Sequence, residues 1–228
     1  MCGKFTAKRW WRMVTDYAVA AAGENTEAGG DDPAAYAVMG MLPVIVRDPT
    51  GHGRVIKPMR WGMAEGPSWK IPMPMHARSE KIEKTHPFKK PFETGQRGIV
   101  IFETFNEGEE VQNPKGVGTN TVQWIVDPQD GQPHGFAFVF ETYQIAELAQ
   151  PLLACAQVTV PANELIRRTI AYNQDDPRMP AILDPNDWAT WLGETDAPLD
   201  QVKAVLKTVE GVTWKAERAP KPEKKPRR

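Results

Sequence analysis

The residue with the most distinctive chemical potential is Cys2, because it directly follows the initiator Met1. Cysteine is small enough for Met1 to be removed, which would leave Cys2 with an α-amine of pKa about 7.7–8.0 beside a thiol of pKa about 8.5. Near neutral pH both groups are partly nucleophilic. Together they close on an aldehyde to form a thiazolidine, which an internal cysteine cannot do. While Met1 is retained the amine is blocked, and the alternative role for Cys2 is that of a small buried apolar residue.

No general catalytic motif accompanies Cys2. The sequence has no glycine-rich phosphate loop and no HExxH, GxSxG or CxxC string. Its histidines (52, 76, 86 and 134) are scattered, so we expect neither a metal site nor a cofactor. Cys155 lies in an apolar stretch and is predicted to be a core residue. Two cysteines are too few for a disulfide framework, which is typical of a reduced, cytoplasmic protein.

The composition is that of a globular domain, with 228 residues, 41% hydrophobic and 25% charged. We expect one domain over residues 1–214 and a basic tail over residues 215–228, which holds seven Lys or Arg against two Glu. Such a tail is typically solvated and flexible, and it alternatively adds attraction to phosphates. We expect no signal peptide, no membrane span and a monomer. The net charge of −1 does not itself indicate nucleic-acid binding.

The hydrophobic pattern predicts several strands that are mostly joined without helices. Strands are predicted over residues 36–47, 54–61, 97–105, 121–127, 135–141 and 152–160. Helices are predicted over residues 7–22, 161–170, 187–192 and 198–209, and a loop over 108–119. This order favours an α+β fold with a mainly antiparallel, barrel-like sheet and peripheral helices.

Six groups of short strings, taken in order, resemble the pattern of the SRAP family, the SOS-response-associated peptidase domain. The strings are Met1-Cys2-Gly3-Lys4-Phe5, Pro43-Val-Ile-Val-Arg47, Arg60-Trp61-Gly62-Met63, His76-Ala77-Arg78-Ser79-Glu80, Phe105-Asn106-Glu107, and Pro177-Arg178-Met179-Pro180 followed by Trp188-Ala-Thr-Trp191-Leu192. Each string alone is weak, but the ordered set covers about residues 1–193 and indicates fold and ancestry.

The resemblance implies single-stranded DNA as the partner and a covalent cross-link between the N-terminal cysteine and an abasic site. The open-ring sugar of such a site is an aldehyde, which matches the chemistry of an N-terminal Cys2. Glu107 stands where the family has its catalytic glutamate, and a carboxyl there would transfer protons. The resemblance therefore implies that Cys2, His76 and Glu107 converge in one pocket, rimmed by arginines.

The resemblance also implies DNA contacts. Arg78 and Arg178 stand at positions that hold phosphates, which suits a guanidinium group. Thr159 stands at a further DNA-contact position, and Lys4 replaces an arginine of the family, keeping the charge but losing the two-pronged geometry.

Three apolar residues and two departures complete the comparison with the family pattern. Pro43, Trp61 and Met63 stand where the family places apolar groups against bases. His76 replaces the family's active-site Asn, and it can change charge near neutral pH. Asp176 falls at the position of a family histidine, which makes it a candidate catalytic residue, and its alternative role is that of a loop or cap residue.

Three functions follow from these residues. The first is a DNA-damage protein that cross-links abasic sites through Cys2, with Glu107 as acid and base and His76 assisting. The second is a Cys2-dependent autopeptidase or thiol hydrolase. The third is a divergent member that binds DNA or a partner without chemistry.

Overall fold

The computed structural model describes residues 2–7, 34–51, 53–65, 68–114, 116–130 and 134–220. The helix predicted over residues 7–22 lies outside these ranges except for Ala7, which ends a strand. In chain order the strands are β1 (Lys4–Ala7), β2 (Ala34–Ala37), β3 (Met41–Arg47), β4 (Arg54–Trp61), β5 (His76–Arg78), β6 (Arg97–Phe102), β7 (Thr104–Gln112), β8 (Thr119–Asp127), β9 (His134–Tyr143), β10 (Leu152–Pro161), β11 (Arg178–Pro180), β12 (Ile182–Leu183) and β13 (Lys215–Arg218). The helices are α1 (Lys89–Glu93), α2 (Glu164–Thr169), α3 (Trp188–Leu192) and α4 (Leu199–Ala204), with 3₁₀ turns at Ser79–Lys81 and Pro185–Asp187.

Five strands close into a barrel, in the order β3, β4, β10, β9, β6 and back to β3. All neighbours in this ring are antiparallel except β4 and β10, which are parallel. Strand β5 also joins β10 in parallel, and β11 and β12 extend the sheet. The fold is α+β with a mainly antiparallel, barrel-like core, as predicted.

A second sheet carries the N-terminal strand and lies against the barrel. Its order is β13-β8-β7-β1-β2, and every pairing in it is antiparallel. Phe5 of β1 joins the two sheets, because its ring lies 5.6 Å from Phe136 of β9 and 5.8 Å from Trp61 of β4. This packing fixes the start of the chain against the barrel wall.

The described helices are short and lie at the periphery. α2 begins later than predicted, because Pro161 still belongs to β10 and Asn163 is the cap, accepting a hydrogen bond from the Ile166 amide at 3.0 Å. In α3, Trp191 is buried and donates from its indole nitrogen to the Gly98 carbonyl at 2.9 Å. α3 ends at Gly193, whose φ of 77° suits a left-handed cap.

Several elements differ from the sequence predictions. The strand predicted over 36–47 is interrupted between β2 and β3, the strand predicted over 97–105 is divided between β6 and β7, and the helix predicted over 198–209 ends at Ala204. β7 continues through residues 108–112, which were predicted to be loop. The predicted flexible tail begins with an ordered strand instead, since Lys215–Arg218 form β13 and pair with β8. Within the described part of the chain, no helix has the length and apolar character needed to cross a membrane.

Candidate active site

Cys2 lies immediately before β1, in the space between the second sheet and the barrel. β1 pairs with β7 so that Lys4 lies opposite Asn106, which brings the start of the chain beside Glu107. The Cys2 side chain is 1% exposed, and its thiol donates a hydrogen bond to the Lys4 carbonyl at 3.3 Å. The predicted nucleophile is therefore held inside the molecule and not on its surface.

Glu107 is the acidic group of this site. Its carboxylate accepts hydrogen bonds from the backbone amides of Cys2 and Gly108. The residue is 2% exposed, and this burial raises the pKa of the Glu107 carboxyl above its ordinary value. A carboxyl with a raised pKa holds its proton closer to neutral pH, which is the property required of a general acid.

His76 reaches Cys2 from the barrel side. Its Nε2 lies 2.8 Å from the Cys2 carbonyl oxygen, and because a carbonyl only accepts, Nε2 is the donor. Burial lowers the pKa of the His76 imidazole, so the ring is neutral near pH 7 and its Nδ1 is left as an acceptor. Cys2, Glu107 and His76 thus converge, with both helpers bonded to the Cys2 backbone.

The Cys2 thiol is protonated in this arrangement. Burial raises its pKa, and Glu107 adds to the rise when its carboxyl is ionised. A thiolate formed here would be desolvated next to a carboxylate, which is costly. The site therefore favours a reaction in which the thiol gives up its proton as it attacks.

A cluster of charged residues continues from His76 along β5. Arg78 lies two residues further on the same face of that strand, at a spacing of roughly 7 Å. Its Nη1 donates to the Asp176 carboxylate at 2.5 Å. Asp176 also lies 3.8 Å from Arg178, whose Nη2 donates to Glu80 at 2.7 Å. The structure thus groups Asp176 with the two predicted phosphate-binding arginines.

Four of the residues expected to touch DNA are buried, and Arg178, at 4% exposed, is one of them. Trp61 and Met63 are 0% exposed. The Trp61 ring packs between Phe5 and Phe138, which leaves it no face for a base. Thr159 is also buried, and its hydroxyl donates to the Ala77 carbonyl at 3.4 Å. In this conformation Trp61, Met63 and Thr159 pack inside the molecule, and their contacts with DNA stay a prediction.

Other side chains are exposed beside the buried Trp61. Lys4 is exposed and Pro43 is half-buried, so both remain available for contact. Met39 is 63% exposed, and its amide donates to the Trp61 carbonyl at 3.0 Å. Its φ of 73° is unusual for a residue with a side chain. Sequence reasoning missed Met39, and a methionine in a short turn gives no signal of a positive φ.

Gln157 is a second residue that sequence reasoning missed. It is fully buried on β10, directly opposite His76 of β5, so the two side chains leave the same face of the sheet. Neither atom of its carboxamide has a hydrogen-bond partner among the residues that the structure describes. A buried amide of this kind is costly, and such residues concentrate near functional sites.

Two further features lie outside this site. A cleft of 760 Å³ opens elsewhere on the barrel and is lined by Arg47, Lys57 and Arg97 among others, but by none of the predicted site residues. The described residues contain no group of His, Cys, Asp and Glu side chains arranged to hold a metal ion.

The fold and this site define a known class of protein. The family model described as SOS response associated peptidase (SRAP) matches residues 1–221. The chain belongs to the SRAP family, and this membership supports a role related to DNA damage. A search of curated proteins found no match.

Solved structures from two bacteria share the fold. A protein from Bacteroides thetaiotaomicron matches with a TM-score of 0.78 and 17% identity, over 96% of this chain and 92% of its own. A protein from Bordetella bronchiseptica matches with a TM-score of 0.74 and 19% identity, over 96% and 100% of the two chains. A phage-related protein from the same organism matches with a TM-score of 0.68 and 15% identity, over 96% and 95%. At these identities the likeness shows the fold alone.

Proposed function

We propose that this protein binds single-stranded DNA and forms a covalent bond between Cys2 and the aldehyde of an abasic site. The observation that carries the proposal is the convergence of Glu107 and His76 on the backbone of Cys2. Arg78 lies two residues after His76 on the same strand and is half-exposed. A phosphate bound to Arg78 would therefore lie close to the residues around Cys2.

The chemistry requires an N-terminal Cys2, and therefore the removal of Met1. The free amine adds to the aldehyde carbon to give a carbinolamine. Protonated Glu107 donates a proton to the departing hydroxyl, which leaves as water and yields a protonated imine. The thiol sulfur then bonds to the imine carbon, the C=N π electrons pass to the nitrogen, and the thiol proton passes to the Glu107 carboxylate. Aldehyde and aminothiol thus become a thiazolidine and one water, and Glu107 ends in its starting form.

Burial supports selectivity for a baseless nucleotide. Cys2 and Glu107 are both almost inaccessible to solvent, so the reacting sugar must enter a confined space. A sugar without a base is the smaller substrate and carries the aldehyde. The exposed Met39 and half-buried Pro43 supply apolar surface for the neighbouring bases.

The protonated thiol separates this reaction from thiol hydrolysis. A hydrolase nucleophile is activated by a lowered pKa, whereas burial and Glu107 raise the pKa of Cys2. No feature of the described residues favours the peptidase reaction over the cross-link, so the cross-link is the function proposed.

The test uses protein shown by intact mass to lack Met1, incubated with single-stranded DNA that carries one abasic site. We expect an adduct that survives denaturing electrophoresis and is lost in Cys2→Ala. Cys155→Ala is the matched control, because Cys155 is the other buried cysteine and should leave the adduct intact. If the wild type forms no adduct but binds the DNA, the protein is a binding member of the family without this chemistry.

A further inference from the structure

The Asp176 carboxylate bridges Arg78 and Arg178, the two arginines that the family resemblance assigns to phosphate binding. One oxygen, Oδ2, lies 2.5 Å from Nη1 of Arg78, and the other, Oδ1, lies 3.8 Å from Nη1 of Arg178. An anion that presents separate oxygens to two guanidinium groups has the same arrangement as a bound phosphate. Asp176 therefore occupies the position that another anion bound to Arg78 would take.

The Asp176 bridge is not needed to hold the arginines in place. Arg178 is 4% exposed and is fixed by other partners, since its Nη2 donates to Glu80 at 2.7 Å and to the Thr159 carbonyl at 2.9 Å. Arg178 is thus positioned independently of Asp176.

The ion pair between Asp176 and Arg78 is exposed to solvent, and another anion can take the place of Asp176. The side chains of Arg78 and Asp176 are 48% and 50% exposed, and ion pairs in such a position contribute little to stability. Asp176 lies in the segment between α2 and β11, outside both elements. A phosphate can therefore displace this carboxylate without disturbing the sheet that carries Arg78.

We propose that Asp176 is an internal competitor for the phosphate site, which DNA must displace from Arg78 before a phosphate binds there. This inference rests on the proposed DNA-binding function. It makes Asp176 a residue that lowers the affinity for single-stranded DNA, because its carboxylate must leave Arg78 before a phosphate binds there.

The experiment measures the binding of an unmodified oligothymidylate by fluorescence anisotropy at fixed salt, so that no covalent step contributes. Asp176→Asn removes the charge and keeps the side-chain shape, and it should tighten binding about three- to tenfold. Asp175→Asn is the matched control, because Asp175 is the exposed neighbour and its removal changes the net charge equally. It should change the affinity less than twofold.

A double variant shows whether the gain in DNA affinity depends on Arg78. In an Arg78→Gln background the site loses the group for which Asp176 competes, so adding Asp176→Asn should give no more than the Asp175→Asn effect. Asp176→Ala serves as a second variant with the same expected direction, and circular dichroism verifies that each protein is folded.

The outcomes separate this inference from the function on which it rests. If the wild type binds and Asp176→Asn behaves like Asp175→Asn, the competitor role is overturned and DNA binding stands. If the gain persists in the Arg78→Gln background, the effect is one of general charge, and the role is also overturned. If none of the folded proteins binds, the proposed DNA binding fails and this inference fails with it.

Discussion

At the scale of single residues, the site is defined by what burial does to three ionisable groups. It raises the pKa of the Glu107 carboxyl and of the Cys2 thiol and lowers that of the His76 imidazole. In each case the neutral form is favoured, as expected for groups removed from water. Because all three groups are neutral before the reaction, they can exchange protons during it without a charged side chain being buried in the resting protein.

Glu107→Gln should lower the rate of adduct formation about a hundredfold and change its pH dependence. The protonated carboxyl is the acid, so the wild-type rate falls as the pH rises through the raised pKa of Glu107. At lower pH the rate falls because the Cys2 amine becomes protonated. In Glu107→Gln the fall in rate at high pH should disappear, whereas the fall in rate at low pH should remain.

Rates of adduct formation measured from pH 5 to 9 test this prediction, with Glu110→Gln, an exposed neighbour on β7, as the control. An unchanged profile in Glu107→Gln would remove Glu107 from the mechanism.

Gln157→Leu should stabilise the protein, by about 1–2 kcal/mol, because it replaces a buried carboxamide without partners by an apolar group of similar size. Urea unfolding measures the change. The control is Gln123→Leu, since Gln123 is exposed on β8 and its replacement should be nearly neutral. A loss of stability in Gln157→Leu would mean that the amide is satisfied in the folded protein.

At the scale of elements, Gly62 determines how the chain leaves β4. Its φ is 121°, and a Cβ at this position would lie 2.4 Å from the Cβ and 2.6 Å from the carbonyl oxygen of Pro72. Its amide donates to the Cys155 carbonyl at 2.8 Å, which connects β4 to β10. Glycine is therefore required directly after Trp61, and this explains one of the strings on which the family resemblance depends.

Gly62→Ala should destabilise the protein by about 2–4 kcal/mol, through backbone strain and the contact with Pro72. Gly116→Ala is the matched control, because Gly116 has a φ of 77° but open space around the added Cβ. It should cost about 1 kcal/mol. Thermal or urea unfolding compares the two, and equal losses would show that the approach to Pro72 is not the cause.

β13 makes the beginning of the predicted tail part of the fold. Arg218 pairs with Glu109 at 3.2 Å and lies over the Trp124 ring at 5.4 Å, while the Trp124 nitrogen donates to Glu109 at 2.8 Å. A protein that ends after Trp214 should lose about 1–3 kcal/mol relative to the full chain. One that ends after Pro220 keeps β13 and should match it. If both truncations are equally stable, β13 contributes nothing to the domain.

At the scale of the whole molecule, local pattern predicted the barrel strands well, because each is a run of apolar or β-branched residues. It failed where distant partners decide the structure. The continuation of β7 is rich in charge, and Glu109 is buried only because Trp124, Tyr172 and Arg218 bond to it from other parts of the chain. β13 depends on the same long-range cluster.

The residues of the site were predictable where the residue type itself indicates the chemistry. Cys2, Glu107 and His76 were expected to converge, and the structure brings them together. The burial of Trp61 and Met63 was not predictable, because an apolar residue next to a site has the same local sequence whether it faces the core or a ligand. The pairing of Asp176 with Arg78 joins residues that are 98 positions apart, which no local pattern contains.

The most direct test of the central claim is the mass of the cross-linked species. Protein lacking Met1 is reacted with an abasic oligonucleotide, and the adduct is weighed intact and then mapped after digestion. The account predicts a mass equal to the sum of protein and oligonucleotide minus one water, with the modification on Cys2. An adduct on another residue, or none from protein that lacks Met1, would contradict it.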